Sequence, residues 1–173
     1  MSRRVTRKPP RFQQDNSIYF LTFCTFRRSP VLLETGIPET LLENLRFYAP
    51  RLKNLIAYTI MPDHVHLLTE VETVFQMSAF LRDFKKRTSK EIKQKTGQTI
   101  PIWQSGTFDH CIRSSADLEN HLNYIFYNSW KHLEILPKDF PYHNFKEAVG
   151  KGWIEEDFRV RSIEIQNRFT VYE

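Results

Sequence analysis

Hydrophobic positions along the chain switch between a two-residue and a helical period, and each switch marks an element. Residues 17–26, SIYFLTFCTF, are β-branched and aromatic with partial alternation, which predicts a strand. Pro38 then opens a pattern through Leu41, Leu42, Leu45, Phe47 and Tyr48 that suits a helix ended by Pro50. Strand character resumes over residues 52–60. Pro62 and Asp63 make a short turn, and HVHLLTEV follows as a further strand, so these two strands are expected to pair as an antiparallel hairpin.

A second helix fits residues 75–95, ending near Gly97, with Phe75, Ala79, Phe80 and Phe84 turned inward. Residues 108–113 suit a short fourth strand. Ser115 is the expected cap of a third helix over residues 116–133, with Glu119 close enough to reinforce that start. The predicted class is α+β: a ferredoxin-like β-α-β-β-α-β core with an additional C-terminal helix. Residues 1–15 read as a flexible basic arm and residues 16–136 as the main domain. Residues 137–173 read as an extension packed on or near it, being too short for a core of their own.

Composition narrows the class. The 173 residues are 40% hydrophobic and 26% charged with five glycines, which excludes a disordered chain or a collagen-like fibre. The net charge of +5 is uneven: the first 60 residues hold ten basic against four acidic side chains, and the chain from residue 101 holds eight against eleven. A basic first half points to a polyanion such as nucleic acid, although basic faces are also common without one. Only Cys24 and Cys111 are present, too few for a disulfide framework or a cysteine zinc cluster. No apolar run reaches the length of a membrane span, and a cytoplasmic setting, with association to the nucleoid through DNA, is expected.

The chemistry concentrates in two stretches. On a strand, His64 and His66 share a face while Val65 points to the other, so both imidazoles can converge on one ion. A pair of neutral imidazoles suits Mn²⁺, Zn²⁺, Co²⁺ or Ni²⁺, and Mg²⁺ when a phosphate adds oxygen ligands. A purely structural histidine pair is the alternative. Asp63 is first a turn residue; it is also a candidate for orienting an imidazole or adding a ligand.

In DLENHLNYIFYNSWKHL, Tyr124 and Asn128 lie four apart on one helical face, with His121 three before Tyr124. Leu118, Leu122, Ile125, Ser129 and Leu133 form the neighbouring stripe for burial. Asn128 offers a carbonyl oxygen to a metal or to a local hydrogen bond. His121 is a candidate for orienting a phosphate or tuning the phenol, and equally a surface histidine. Tyr127 is the rival phenol, on a different face and without the polar partner one turn on. A phenol has a reference pKa of ~10, and a nearby metal or cation favours its ionised form. Attack on a phosphodiester would leave a covalent ester that a DNA hydroxyl can reverse, in contrast to hydrolysis.

These pieces together resemble the HUH endonuclease superfamily, in particular the single-tyrosine, IS200-like transposases of the branch associated with repetitive extragenic palindromic (REP) DNA. The likeness rests on His64-Val65-His66 within MPDHVHLL, on Tyr124 and Asn128 within HLNYIFYN, and on the lead-in WQSGTFDHCIRSSADLENHLNYI, and it extends over roughly residues 17–145. One departure is Ser129, where branch members commonly have proline. The resemblance implies a ferredoxin-like fold, Mg²⁺ or Mn²⁺ held by His64, His66 and Asn128, and Tyr124 as nucleophile. It also implies a 5′-phosphotyrosine link, a released 3′-hydroxyl and single-stranded DNA bearing imperfect hairpins as the partner.

Candidate DNA contacts are Arg3, Arg4, Arg7, Lys8 and Arg11 of the arm, and Arg82, Lys85, Lys86, Arg87 and Lys90 of the second helix, all suited to phosphates. Arg113 is a candidate nearer the reaction site. Trp103 and Phe108 are either stacking surfaces for bases or core residues. The sequence points to no membrane and no protein partner and leaves monomer and dimer open. The alternatives are a protein that binds DNA hairpins without catalysis and a metal-dependent phosphodiesterase that activates water.

Overall fold

The computed structural model describes residues 14–155. The expected arm residues Arg3, Arg4, Arg7, Lys8 and Arg11 lie outside the described residues, as does the chain beyond residue 155. Four strands, β1 (Ser17–Cys24), β2 (Asn54–Ile60), β3 (His64–Val71) and β4 (Phe108–Cys111), form one antiparallel sheet in the order β2-β3-β1-β4. Helix α1 (Ile37–Tyr48) joins β1 to β2, and α2 (Val74–Thr96) joins β3 to β4. This is the β-α-β-β-α-β unit of an α+β, ferredoxin-like fold. Helices α3 (Ser115–Leu133) and α4 (Phe145–Gly150) follow it.

The strand alternation decides which helix covers which face. Tyr19, Leu21 and Phe23 of β1 and Val65, Leu67 and Val71 of β3 are buried with Leu41 and Leu45 of α1 and Phe80 and Phe84 of α2. Phe20 and Leu68, one residue out of phase, are buried with Leu122, Ile125 and Phe126 of α3 and Phe145 of α4. The sheet is therefore packed on both faces. His64 and His66, also out of phase with Val65, belong to the face that α3 covers.

Among the boundaries that differ from the sequence pattern, two have a clear physical cause. β1 ends at Cys24 rather than near residue 26, because Arg27 and Arg28 take left-handed φ values of 55° and 57°, which a strand cannot hold. Thr25 braces that turn, its hydroxyl donating to the carbonyls of Ser29 (2.8 Å) and Asp63 (3.1 Å). At α3 the cap is Ser114: its hydroxyl accepts the Asp117 N–H at 3.1 Å, and Ser115 is already helical. The capping contact thus runs to Asp117 and not through Glu119.

Residues 137–155 lie along the outer edge of β2. The Ile60 N–H donates to the Tyr142 carbonyl at 2.9 Å. Buried Asn144 accepts from the Tyr58 N–H at 2.9 Å and donates to the Ile56 carbonyl at 3.0 Å, where the β2–β3 register shifts between Leu55 and Ala57. One amide side chain so satisfies two backbone groups of an edge strand, and the edge is closed to another chain.

Candidate active site

Strand pairing sets the two histidines. Across β1 and β3, His64 faces Cys24 and His66 faces Thr22, and the two imidazole centroids are 4.6 Å apart. Both rings are buried. The Thr22 hydroxyl shares a 2.7 Å hydrogen bond with His66 Nδ1, and Phe20 stacks on the His66 ring at 5.1 Å. Asp63 Oδ1 lies 2.6 Å from His64 Nδ1, and Arg28 pairs with the same carboxylate at 3.3 Å. Burial pushes the Asp63 carboxyl up, but the hydrogen bond from His64 and the Arg28 charge outweigh it, and its pKa lies below the ordinary value. An ionised carboxylate only accepts, so Nδ1 of His64 carries a proton, and the tautomer that leaves Nε2 bare presents a lone pair there.

That lone pair faces α3. Asn128 Nδ2 donates to the Tyr124 carbonyl at 2.9 Å, which turns Asn128 Oδ1 toward His64 Nε2 at 3.4 Å. In the neutral ring this sets two electron-pair donors against each other with no hydrogen between them. Ligands held about 2.0–2.2 Å from a cation lie about 3.0–3.5 Å from one another, so the pair has ligand spacing. The donor set of two imidazoles and an amide oxygen fits a divalent ion.

Tyr124 is 6% exposed, and its ring meets His66 edge-on at 5.2 Å and Phe20 at 5.9 Å. Lys131 Nζ stands over the same ring at 5.6 Å, and the His132 ring lies 5.7 Å from that of His64. Tyr127, one residue short of a full turn further on, is also buried. Ser129 keeps α3 regular past Asn128: its hydroxyl donates to the Ile135 carbonyl at 2.9 Å, and the helix runs to Leu133 before Glu134 turns left-handed at φ 56°.

A further cluster adjoins the pair. His110 of β4 and Asp117 and His121 of α3 place ligand atoms within 4.8 Å of one another, a His/Asp/His set compatible with a divalent metal. Asp117 Oδ2 accepts from His110 Nε2 at 3.0 Å and from the Arg113 N–H at 3.0 Å. His121 Nδ1 faces the Asp117 carbonyl at 2.8 Å and Oδ1 at 3.0 Å. Burial raises the Asp117 carboxyl, but these donors bring it below its ordinary pKa, while burial lowers His121. Phe20 separates the two histidine groups, 5.1 Å from His66 and 4.7 Å from His121. The spacing in the sequence singles out His121 but not His110 or Asp117. Their signal was the return of the chain from β4 into the first turn of α3, which sets Asp117 against both His110 and His121.

Other sequence candidates separate by burial. Trp103 belongs to the core between sheet and α2: it is 7% exposed, its indole N–H donates to Thr88 Oγ1 at 3.0 Å, and it meets Phe23 at 5.1 Å. It is not a platform for bases. Lys85 is turned inward, donating to the Gly106 carbonyl (2.5 Å) and Thr107 Oγ1 (3.0 Å), and burial lowers its pKa to about 8. Those contacts correct the expectation that it meets DNA phosphates. Arg82 pairs with Asp83 and Arg87 with Glu91, each at 2.9 Å, while Lys86 and Lys90 are exposed. Arg113 and Phe108 are exposed beside the His/Asp/His cluster.

Comparison with known proteins gives the family. A family model described as transposase, IS200 like, matches residues 13–128. The chain is 35% identical over 115 residues to a REP-associated tyrosine transposase of Haemophilus influenzae, covering 60% of this chain and 65% of that protein. It is 30% identical over 98 residues to a REP-associated tyrosine transposase of Escherichia coli strain K12, covering 56% of each. The chain thus spans less than two thirds of the length of these curated relatives. Its fold is similar to that of a REP-associated tyrosine transposase solved bound to a REP hairpin, with a TM-score of 0.70 at 24% identity over 86% of this chain and 88% of that one. With residues 13–128 matched, the chain belongs to the IS200-like single-tyrosine transposase family.

Proposed function

We propose that the protein is a metal-dependent endonuclease and strand transferase of single-stranded DNA bearing imperfect hairpins, with Tyr124 as nucleophile. The observation that carries this reading is the convergence of β3 and α3: Tyr124 against His66 at 5.2 Å, and Asn128 Oδ1 opposite His64 Nε2 at 3.4 Å. His64, His66 and Asn128 would hold Mg²⁺ or Mn²⁺. When bound, the ion supplies Lewis-acid polarisation of the phosphate under attack.

The chain's own groups supply the rest. Asp63 fixes the His64 tautomer and Thr22 holds the His66 ring. The Tyr124 oxygen gives up its proton and forms a bond to phosphorus as the bond from phosphorus to the 3′ oxygen breaks. The departing oxygen takes up a proton and becomes a 3′-hydroxyl, and the 5′ side remains as a phosphotyrosine ester. A DNA 3′-hydroxyl can reverse the step because the bond energy is kept in the ester. Burial of Tyr124 beneath Phe20 and His66 limits the access of competing water. Lys86, Lys90 and the basic arm are the proposed hairpin-phosphate contacts. The relatives named as REP-associated transposases make a REP-type hairpin the first DNA to try.

The test is incubation of the full chain and end-labelled hairpin oligonucleotides with Mg²⁺ or Mn²⁺, resolved on a denaturing gel. A protein-linked labelled fragment is expected, and His64→Ala should remove it while leaving hairpin binding within about threefold. Cleavage without a protein link would favour activated water as the nucleophile. Binding with no cleavage would reduce the protein to a hairpin-binding module.

A further inference from the structure

Helix α3 carries a cation on the same side as the phenol. Tyr124, Asn128 and Lys131 are spaced by four and then three residues, which places them along one helical face. Lys131 Nζ stands 5.6 Å from the centre of the Tyr124 ring, while His66 meets that ring from the sheet at 5.2 Å. The Tyr124 ring is thus met both by a histidine of the pair and by an ammonium.

The charge of the incoming strand makes that ammonium informative. A phosphodiester entering beside Tyr124 brings a negative charge, which becomes more concentrated on the non-bridging oxygens as the phenol oxygen attacks. In a buried setting such charge is strongly unfavourable unless a fixed cation meets it. A lysine suits that task, because its compact charge on a flexible stem can follow a phosphate that moves between two oxygens.

We propose that Lys131 contacts the non-bridging oxygens of the scissile phosphate, holding it in line with Tyr124 and stabilising the charge that develops during transfer. The inference rests on the reading of Tyr124 as nucleophile. It assigns to Lys131 a role in the chemical step and none in holding the hairpin.

The experiment measures single-turnover formation of the protein–DNA adduct in Mn²⁺ for wild type, Lys131→Met, Lys131→Arg and Tyr124→Phe. The probe is the best-captured member of a panel of single-stranded oligonucleotides with an imperfect hairpin and unpaired flanks. At saturating DNA, Lys131→Met should slow capture by about 100-fold or more, the scale seen when one charge-stabilising donor is lost. Lys131→Arg should recover most of the rate, and hairpin affinity without metal should stay within about threefold for both. An oligonucleotide with an uncharged methylphosphonate at the scissile position should shrink the gap between wild type and Lys131→Met to less than about threefold. The inference is overturned if Lys131→Met captures DNA as fast as wild type, if Arg is no better than Met, or if the gap persists on the methylphosphonate. Loss of the adduct in Tyr124→Phe together with a normal Lys131→Met rejects the lysine alone. An adduct retained in Tyr124→Phe, or none in wild type, rejects the nucleophile reading and the lysine with it.

Discussion

A carboxylate beside an imidazole decides which ring nitrogen keeps the proton, and Asp63 makes that choice for His64. Removing it frees the ring to rotate and to protonate at Nε2. Partners of this kind are worth about 10–100-fold in metal affinity, so Asp63→Ala should weaken Mn²⁺ binding, followed by calorimetry or the electron-paramagnetic resonance of the free ion, by that factor. An unchanged affinity would mean that His64 is not a ligand. At this scale the sequence was informative where a strand's alternation alone settles direction: Val65 to one face, His64 and His66 to the other. It left Trp103 open between core and base stacking and was misleading for Lys85, because their surroundings depend on Thr88 of α2 and on the loop residues Gly106 and Thr107, 15 to 22 positions away along the chain. An indole and a lysine near a basic helix look like nucleic-acid contacts until packing shows them turned inward.

Elements were legible to within a few residues wherever apolar spacing was long and regular, as in α2, whose Thr73–Gln76 capping box and left-handed Gly97 mark both ends. The cap of α3 was misplaced by one residue because Ser114 and Ser115 are chemically alike, and only the hydrogen bond to Asp117 N separates them. The segment over the β2 edge had no periodic signature at all: its attachment uses backbone groups, the Asn144 amide and scattered buried side chains such as Phe140 and Phe145.

That segment also carries an acid-sensitive group. His143 pairs with Thr59 across the edge and its ring is enclosed by Phe126, Phe140 and Phe145 at 5.3–5.9 Å. Burial, with a smaller push from the charge of Lys146, lowers its pKa from 6.5 to about 4. The unfolded chain therefore binds a proton more readily than the folded one between those values. The stability due to the neutral ring is complete above about pH 6.5 and is lost as the pH falls toward 4. The loss should be on the order of 3 kcal/mol. Measured from pH 7 to 4, wild type should lose melting temperature faster than His143→Phe, in which the proton site is absent. Parallel curves would show that His143 titrates alike in both states.

Across the whole molecule the sheet is a partition. One face packs against α1 and α2 and forms the larger core, while the other receives α3 and the polar groups of the proposed site. Exposed Lys86 and Lys90 lie on α2, on the opposite side of the sheet from Tyr124. If they meet hairpin phosphates, Lys86→Gln and Lys90→Gln should each weaken binding for all hairpins alike and reduce the salt slope by about 1. Unaltered slopes would place the hairpin elsewhere. The two-faced core was readable from alternation and helical stripes. The His110–Asp117–His121 cluster was not, because its members come from a strand and a helix whose junction no local pattern describes.

The central claim is that the phenol of Tyr124 takes the phosphate. Peptide mapping by mass spectrometry of the adduct formed on hairpin DNA in Mn²⁺ tests it most directly. The account predicts a nucleotide mass on the peptide bearing Tyr124, with fragment ions that place it on that residue and not on Tyr127. A nucleotide on Tyr127 or any other residue, or an undiminished adduct in Tyr124→Phe, would contradict it.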